Sequence, residues 1–73
     1  MQLKIRFEAT RPDQQSFIGS TLQKEFRGSA TSKNIFTIPK IEPGSLSDIV
    51  NKVTFLIIDL VSILSFTLKE DQQ

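Results

Sequence analysis

Apolar and polar residues alternate without a break over 2–9, with Leu3, Ile5, Phe7 and Ala9 on one side and Lys4, Arg6 and Glu8 on the other. A period of two predicts a strand with one buried and one wet face. Thr10-Arg11-Pro12-Asp13 interrupts the pattern. Pro12 and an Asp13 N-cap suit a helix entry. From Asp13 to about Phe26, the apolar residues Phe17, Ile18, Leu22 and Phe26 return at helical spacing, while Gln14, Gln15, Gln23, Lys24 and Glu25 fall on the side expected to face water. Gly19 lies inside that helix at a cost of about 1 kcal/mol relative to alanine.

Residues 27–34, RGSATSKN, read as a polar loop, mobile and with Gly28 placed to close the helix. Ile35 to Ile41 reads as a second strand, apolar on both faces, whose Pro39 marks an edge or a bend.

The densest apolar stretch is 45–69, SLSDIVNKVTFLIIDLVSILSFTLK. Steps of three and four run through Leu46, Ile49, Val50, Val53, Leu56, Ile57, Leu60, Val61, Leu64 and Leu68, one continuous helical stripe. Phe55, Ile58, Ile63 and Phe66 fall beside or behind it, so the helix needs cover on more than one side. Pro43-Gly44 turns the chain, and Ser45-x-x-Asp48 matches a capping box. One long helix is the favoured reading, because no Gly, Pro or Asn punctuates the chain between Lys52 and Lys69. The competing reading ends the helix early and makes 62–69 a strand, since Leu64, Phe66 and Leu68 alternate with Ser65, Thr67 and Lys69.

The predicted architecture is a single α+β domain over 1–69 followed by a polar tail, 70–73. Its order is strand-helix-strand-helix, a two-stranded sheet with both helices on one face; if the two strands are parallel neighbours, the connection from Thr10 to Asn34 is long enough for a right-handed crossover. Such a sheet hides less apolar surface than the last helix presents. A second copy or another protein is therefore expected to complete it. The candidate interface comprises Val53, Phe55, Leu56, Ile57, Ile58, Asp59, Leu60, Val61, Leu64 and Phe66. Asp59 in this set either meets a partner's cation or sits on the thin polar stripe with Ser62, the second being the simpler arrangement.

Seventy-three residues form at most one domain of marginal size, and with neither cysteine nor histidine the chain has no disulfide, thiolate or imidazole chemistry. No serine has a base near it in sequence, and Asp13, Asp48 and Asp59 cannot be drawn into one cleft by spacing alone. An enzyme, a metal, a cofactor and a small-molecule substrate are not expected. A net charge of +1 gives no reason to expect nucleic acid, and Lys4 and Arg6 read as a solvated strand face continued by Glu8. The Pro43-Gly44-Ser45 turn reads as an ordinary helix start rather than an anion site.

The opening residues lack the apolar core of a secretory signal, so a cytoplasmic location is expected. Membrane insertion of 53–68 is nearly balanced. Eleven apolar residues contribute about 0.3–0.6 kcal/mol each, against about 3 for Asp59 and further losses at four hydroxyl side chains. The alternatives to an interaction module are thus a small membrane-anchored protein with a cytosolic head, and a stoichiometric inhibitor or antitoxin-like binder.

The alternating strand Leu3 to Ala9, the helix closing on Leu22, Glu25, Arg27 and Gly28, and the strand running into Pro39, then Pro43-Gly44-x-Leu46-x-x-Asp48 before an apolar helix, taken together, make a chain that resembles the effector-associated constant component family, small domains of prokaryotic conflict systems. Leu46-Ser47 stands where the family tends to have methionine-glycine, and the family's first-helix tryptophan is absent. The resemblance implies an adaptor that links a sensor or effector, often a caspase-like or trypsin-like peptidase, to other components without catalysis of its own.

Overall fold

The computed structural model describes residues 1–70. Residues 71–73 of the expected tail lie outside them. The chain is α+β: β1 (Gln2–Ala9), α1 (Gln15–Glu25), β2 (Ser29–Ser32), β3 (Ile35–Ile38), α2 (Leu46–Ile57) and β4 (Val61–Lys69), with 3-10 turns at Pro12–Gln14, Pro43–Ser45 and Ile58–Leu60. The four strands form one antiparallel sheet in the order β2-β3-β1-β4. Helix α1 links β1 to β2 across β3, and α2 links β3 to β4 across β1. This is the ferredoxin-like split βαβ arrangement.

The expected two-stranded sheet is therefore corrected to four antiparallel strands. Strand β1 is as predicted, because Leu3, Ile5 and Phe7 are buried while Arg6 and Glu8 on its other face stay exposed. Strand β3 is shorter than the 35–41 run and is central rather than an edge. Pro39 lies just beyond it, and the Ile41 N–H resumes pairing with the Met1 carbonyl at 2.9 Å.

The expected polar loop holds β2, joined to β3 through the two residues Lys33 and Asn34. Both faces of β2 are exposed, so it carries no apolar alternation to read. Gly28 does not close α1 in a left-handed conformation, since no described glycine has positive φ. The helix ends at Glu25, with Phe26 already extended.

The long helix is also corrected. Helix α2 stops at Ile57, whose φ of −127° and ψ of 0° leave the helical region, and the chain turns through Ile58–Leu60 into an extended Val61. No glycine or proline is needed there because tertiary pairing supplies the stop. The Leu60 carbonyl accepts from the Thr10 N–H at 2.9 Å, and β4 then pairs with β1 along its whole length. Tertiary pairing of this kind overrides local propensity.

The two predicted caps are absent as well. Ser45 ends a 3-10 turn with no side-chain bond to the helix, and Asp13 sits within the first 3-10 turn, 3.8 Å from Arg11 in an exposed pair.

Both helices cover one face of the sheet, as expected. Ile18 and Leu22 from α1 and Val53 and Ile57 from α2 join Leu3, Ile5, Phe7, Phe36 and Ile38 in a single core. An ion pair reaches from α2 to the end of α1, with Lys52 Nζ 3.2 Å from Glu25 Oε1 and 5.9 Å from the Phe26 ring centre.

Gln15, expected to face water, turns inward. Its Oε1 accepts from the Ala9 N–H at 2.9 Å and its Nε2 donates to the carbonyls of Lys33 and Phe7 at 2.9 and 3.3 Å. It thus occupies the end of β1 that β3 is too short to reach. Gly19 has nothing within 4 Å of the position its Cβ would take. Gly19→Ala is therefore expected to stabilise the chain by about 1 kcal/mol, raising Tm by roughly 4–8 °C in a thermal melt.

Candidate interaction surface

Antiparallel partners directly opposite one another share a sheet face. In β4, Leu64, Phe66 and Leu68 lie opposite Phe7, Ile5 and Leu3 on the helix-covered face, while Ile63, Ser65, Thr67 and Lys69 lie opposite Glu8, Arg6, Lys4 and Gln2 on the open face. Ser62 is an extra residue between the Glu8–Ile63 and Ala9–Val61 pairs, a bulge whose hydroxyl donates to the Glu8 carbonyl at 3.4 Å. From Ile63 to Lys69 the strand is regular.

The backbone direction of β4 follows from β1. The Phe7 N–H bonds the Asn34 carbonyl on the β3 side at 3.0 Å, so the odd-numbered residues of β1 turn their polar groups toward β3 and the even-numbered ones toward β4. Ile63, Ser65, Thr67 and Lys69 therefore spend their N–H and C=O groups on β1. Those of Leu64, Phe66 and Leu68 point outward from the free edge.

The two edges of the sheet differ. Strand β2 is four residues long, polar and fully exposed. Strand β4 is nine residues long and carries no charge before Lys69. Proteins usually blunt a sheet edge with short strands, charges, proline or a covering element. Strand β2 follows that rule, and β4 from Ile63 to Leu68 does not.

The predicted interface residues divide three ways. Val53 and Ile57 are fully buried in the monomer's own core and offer nothing to a partner. Leu56, Leu60, Val61, Leu64 and Phe66 are half-buried against that core. Phe55 (85%) and Ile58 (48%) are exposed, as is Asp59 in the 3-10 turn. Ile63 (50%) and Leu68 (46%) also belong to the surface and were not in the predicted set. They stand on opposite faces of the strand, Ile63 opposite Glu8 and Leu68 opposite Leu3.

No family model, curated protein or solved structure matches this chain.

Elsewhere, a groove of about 420 Å³ lies between α1 and the β2 side of the sheet, lined by Phe7, Gln15, Ser16, Gly19, Gln23 and Lys33 among others. Lys33 is its single charged group, and no carboxylate faces it. Among the described residues no group of acidic side chains is arranged to hold a metal ion. No described helix is long and apolar enough to cross a membrane. The helix on which the membrane-anchored alternative depended is divided between α2 and β4.

Proposed function

We propose that this chain is a non-catalytic protein-interaction module that docks another polypeptide by strand addition at the β4 edge. The observation that supports this most directly is the long edge, uncharged from Val61 to Leu68, with outward-facing backbone groups at Leu64, Phe66 and Leu68 and exposed side chains at Ile63 and Leu68. In strand addition, main-chain hydrogen bonds supply affinity, and side chains alternating about the new strand supply specificity. An edge of this kind left bare is an aggregation hazard, so a partner gives a physical reason for keeping it.

The fold itself favours no activity, since this arrangement carries many unrelated functions. The resemblance to effector-associated constant components adds a setting, an adaptor in the cytoplasm joining a sensor or effector to other parts of a conflict system. The absence of cysteine and histidine agrees with a role in contact rather than chemistry.

Lysine-reactive cross-linking in an extract of the native host, read by mass spectrometry, tests the reading. Lys69 ends the edge strand and is exposed. Intermolecular links from Lys69 are expected in the native chain and are expected to be lost in a Leu64→Lys/Leu68→Lys variant. Intermolecular links confined to the β2 side, through Lys33, would overturn the assignment of the docking edge.

A further inference from the structure

We infer that the partner at the β4 edge is a second copy of this chain, paired strand to strand about a two-fold axis at Phe66; this rests on the docking reading above. The argument begins with symmetry. Two antiparallel copies of one edge strand are related by an axis perpendicular to the sheet, which leaves the covered faces of both sheets on the same side. The helix-covered face, with Leu64, Phe66 and Leu68, then continues into the same face of the partner, and the polar face continues into the polar face. The product is one eight-stranded sheet with four helices on one side.

The register follows from the bulge. Pairing is regular only from Ile63 to Lys69, because Ser62 breaks the alternation at one end. The midpoint of that segment is Phe66. With Phe66 on the axis, all of Ile63–Lys69 pairs: Ile63 with the partner's Lys69, Leu64 with the partner's Leu68, and Ser65 with the partner's Thr67. The outward backbone groups of Leu64, Phe66 and Leu68 then meet those of the partner's Leu68, Phe66 and Leu64, two bonds to each such pair. Sliding the register by two residues toward the N-terminus places Ser65 on the axis and draws the bulge into the pairing.

Charge supports the same register. The partner's Lys69 falls opposite Ile63 on the open face, and Glu8 lies opposite Ile63 on the other side. Glu8 and the partner's Lys69 are then two strand spacings apart, about 10 Å between Cα atoms, within reach of two long side chains. The lysine stem crosses and covers the exposed Ile63 side chain. Between Val61 and Leu68 the strand contains no charge to repel its own copy, and a net charge of +1 per chain adds little repulsion.

Pairing through one seven-residue strand segment makes a small interface, at the weak end of the range for specific association.

The chain has no cysteine, so an introduced one has no competitor. Ser65 and Thr67 are exposed on the open face, and circular dichroism checks that Ser65→Cys and Thr67→Cys leave the fold intact. In the inferred dimer these two positions form a non-hydrogen-bonded pair about 4.5 Å apart at Cα, suited to a disulfide, whereas Ser65 and its own copy are diagonal and too far apart. An equimolar mixture of the two variants is expected to give the mixed disulfide under mild oxidation, and Ser65→Cys alone none. Ile63→Lys faces Glu8 within its own chain but the partner's Lys69 across the axis, so it is expected to weaken the dimer at least tenfold without unfolding the monomer. Adding Lys69→Glu to it is expected to restore the dimer.

Sedimentation of the unaltered chain at about 200 μM, well above the micromolar dissociation constant expected of so small an interface, is expected to show a species of twice 8.3 kDa. A monomer at that concentration overturns the inference. A dimer in which Ser65→Cys cross-links to itself, or which ignores Ile63→Lys, overturns the Phe66 register. A chain that stays monomeric yet links through Lys69 to a different protein in its host overturns self-pairing and leaves strand docking standing.

Discussion

Ile57→Asp is expected to leave the chain unfolded at 25 °C, with the far-ultraviolet dichroism of a coil and no cooperative thermal transition. Ile57 is fully buried near the C-terminal end of α2 and packs in one core with Val53, Leu3, Ile5 and Phe7. Removing its apolar side chain costs about 2–5 kcal/mol, and placing a carboxyl there adds about 1–3 kcal/mol even when the group is neutral. A domain of 73 residues holds roughly 4–11 kcal/mol in all, so the substitution consumes most or all of it. Phe55→Asp, two residues earlier and 85% exposed, is expected to change stability by no more than about 0.5 kcal/mol. The contrast assigns the two faces of α2. A retained fold in Ile57→Asp, or a collapse in Phe55→Asp, would show the helix rotated from its assigned setting. It also means that Ile57, although it belongs to the predicted interface set, is not a site at which assembly can be tested apart from folding.

Much of the core was legible from pattern because it depends on local periodicity. Strand β1 has one wet and one dry face, so Lys4, Arg6 and Glu8 mark its register against Leu3, Ile5 and Phe7. Ile18 and Leu22 of α1, and Val53 and Ile57 of α2, stand at helical spacing and are buried accordingly. Phe17 shares that spacing in α1 yet is exposed, because the half-turn it occupies faces away from the sheet.

The two missed strands have different causes. Ser29–Ser32 is exposed on both sides, so burial imposes no alternation on it; its place is set by hydrogen bonds to β3 and by contacts such as the 3.1 Å pairing of the Thr31 and Thr37 hydroxyls. In β4 the alternation was present, from Leu64 to Lys69. It competed with a denser helical stripe that runs on from α2, and nothing in the local sequence chooses between them. The choice is made about sixty residues earlier in the chain, where β1 would otherwise leave the backbone groups of Gln2, Lys4, Arg6 and Glu8 unpaired. The predicted interface set mixes core and surface residues for the same reason. A helical wheel groups Val53 and Ile57 with Leu60 and Leu64, whereas the turn at Ile58–Leu60 sends the first two into the core and the others toward an edge.

Gly28→Ala is the second large effect, and its cause separates two roles for the residue. If Gly28 served only as a flexible helix terminator, alanine would cost about 1 kcal/mol. Its φ is not positive, however, and the left-handed conformation is not what it provides. It provides room. A Cβ at this position would overlap the backbone carbonyl oxygen of Thr37 and stand 2.9 Å from Cε2 of the Phe36 ring. Phe36 is fully buried opposite Ile5, and Thr37 is the residue against which Ser29 pairs to start β2. To admit the methyl group, the β2–β3 hairpin must move away from the end of α1, and the Phe36 ring must shift within a close-packed core. A loss of about 2–4 kcal/mol is expected, with a fall of roughly 10–25 °C in Tm by the scaling for domains of this size. Phe36→Leu in the same chain is expected to recover little, because the severe overlap is with backbone that no side-chain change can relieve. A Gly28→Ala chain that melts within a few degrees of the native one would show that the hairpin yields freely at this point, and that the contact between Gly28 and Thr37 does not fix where β2 begins.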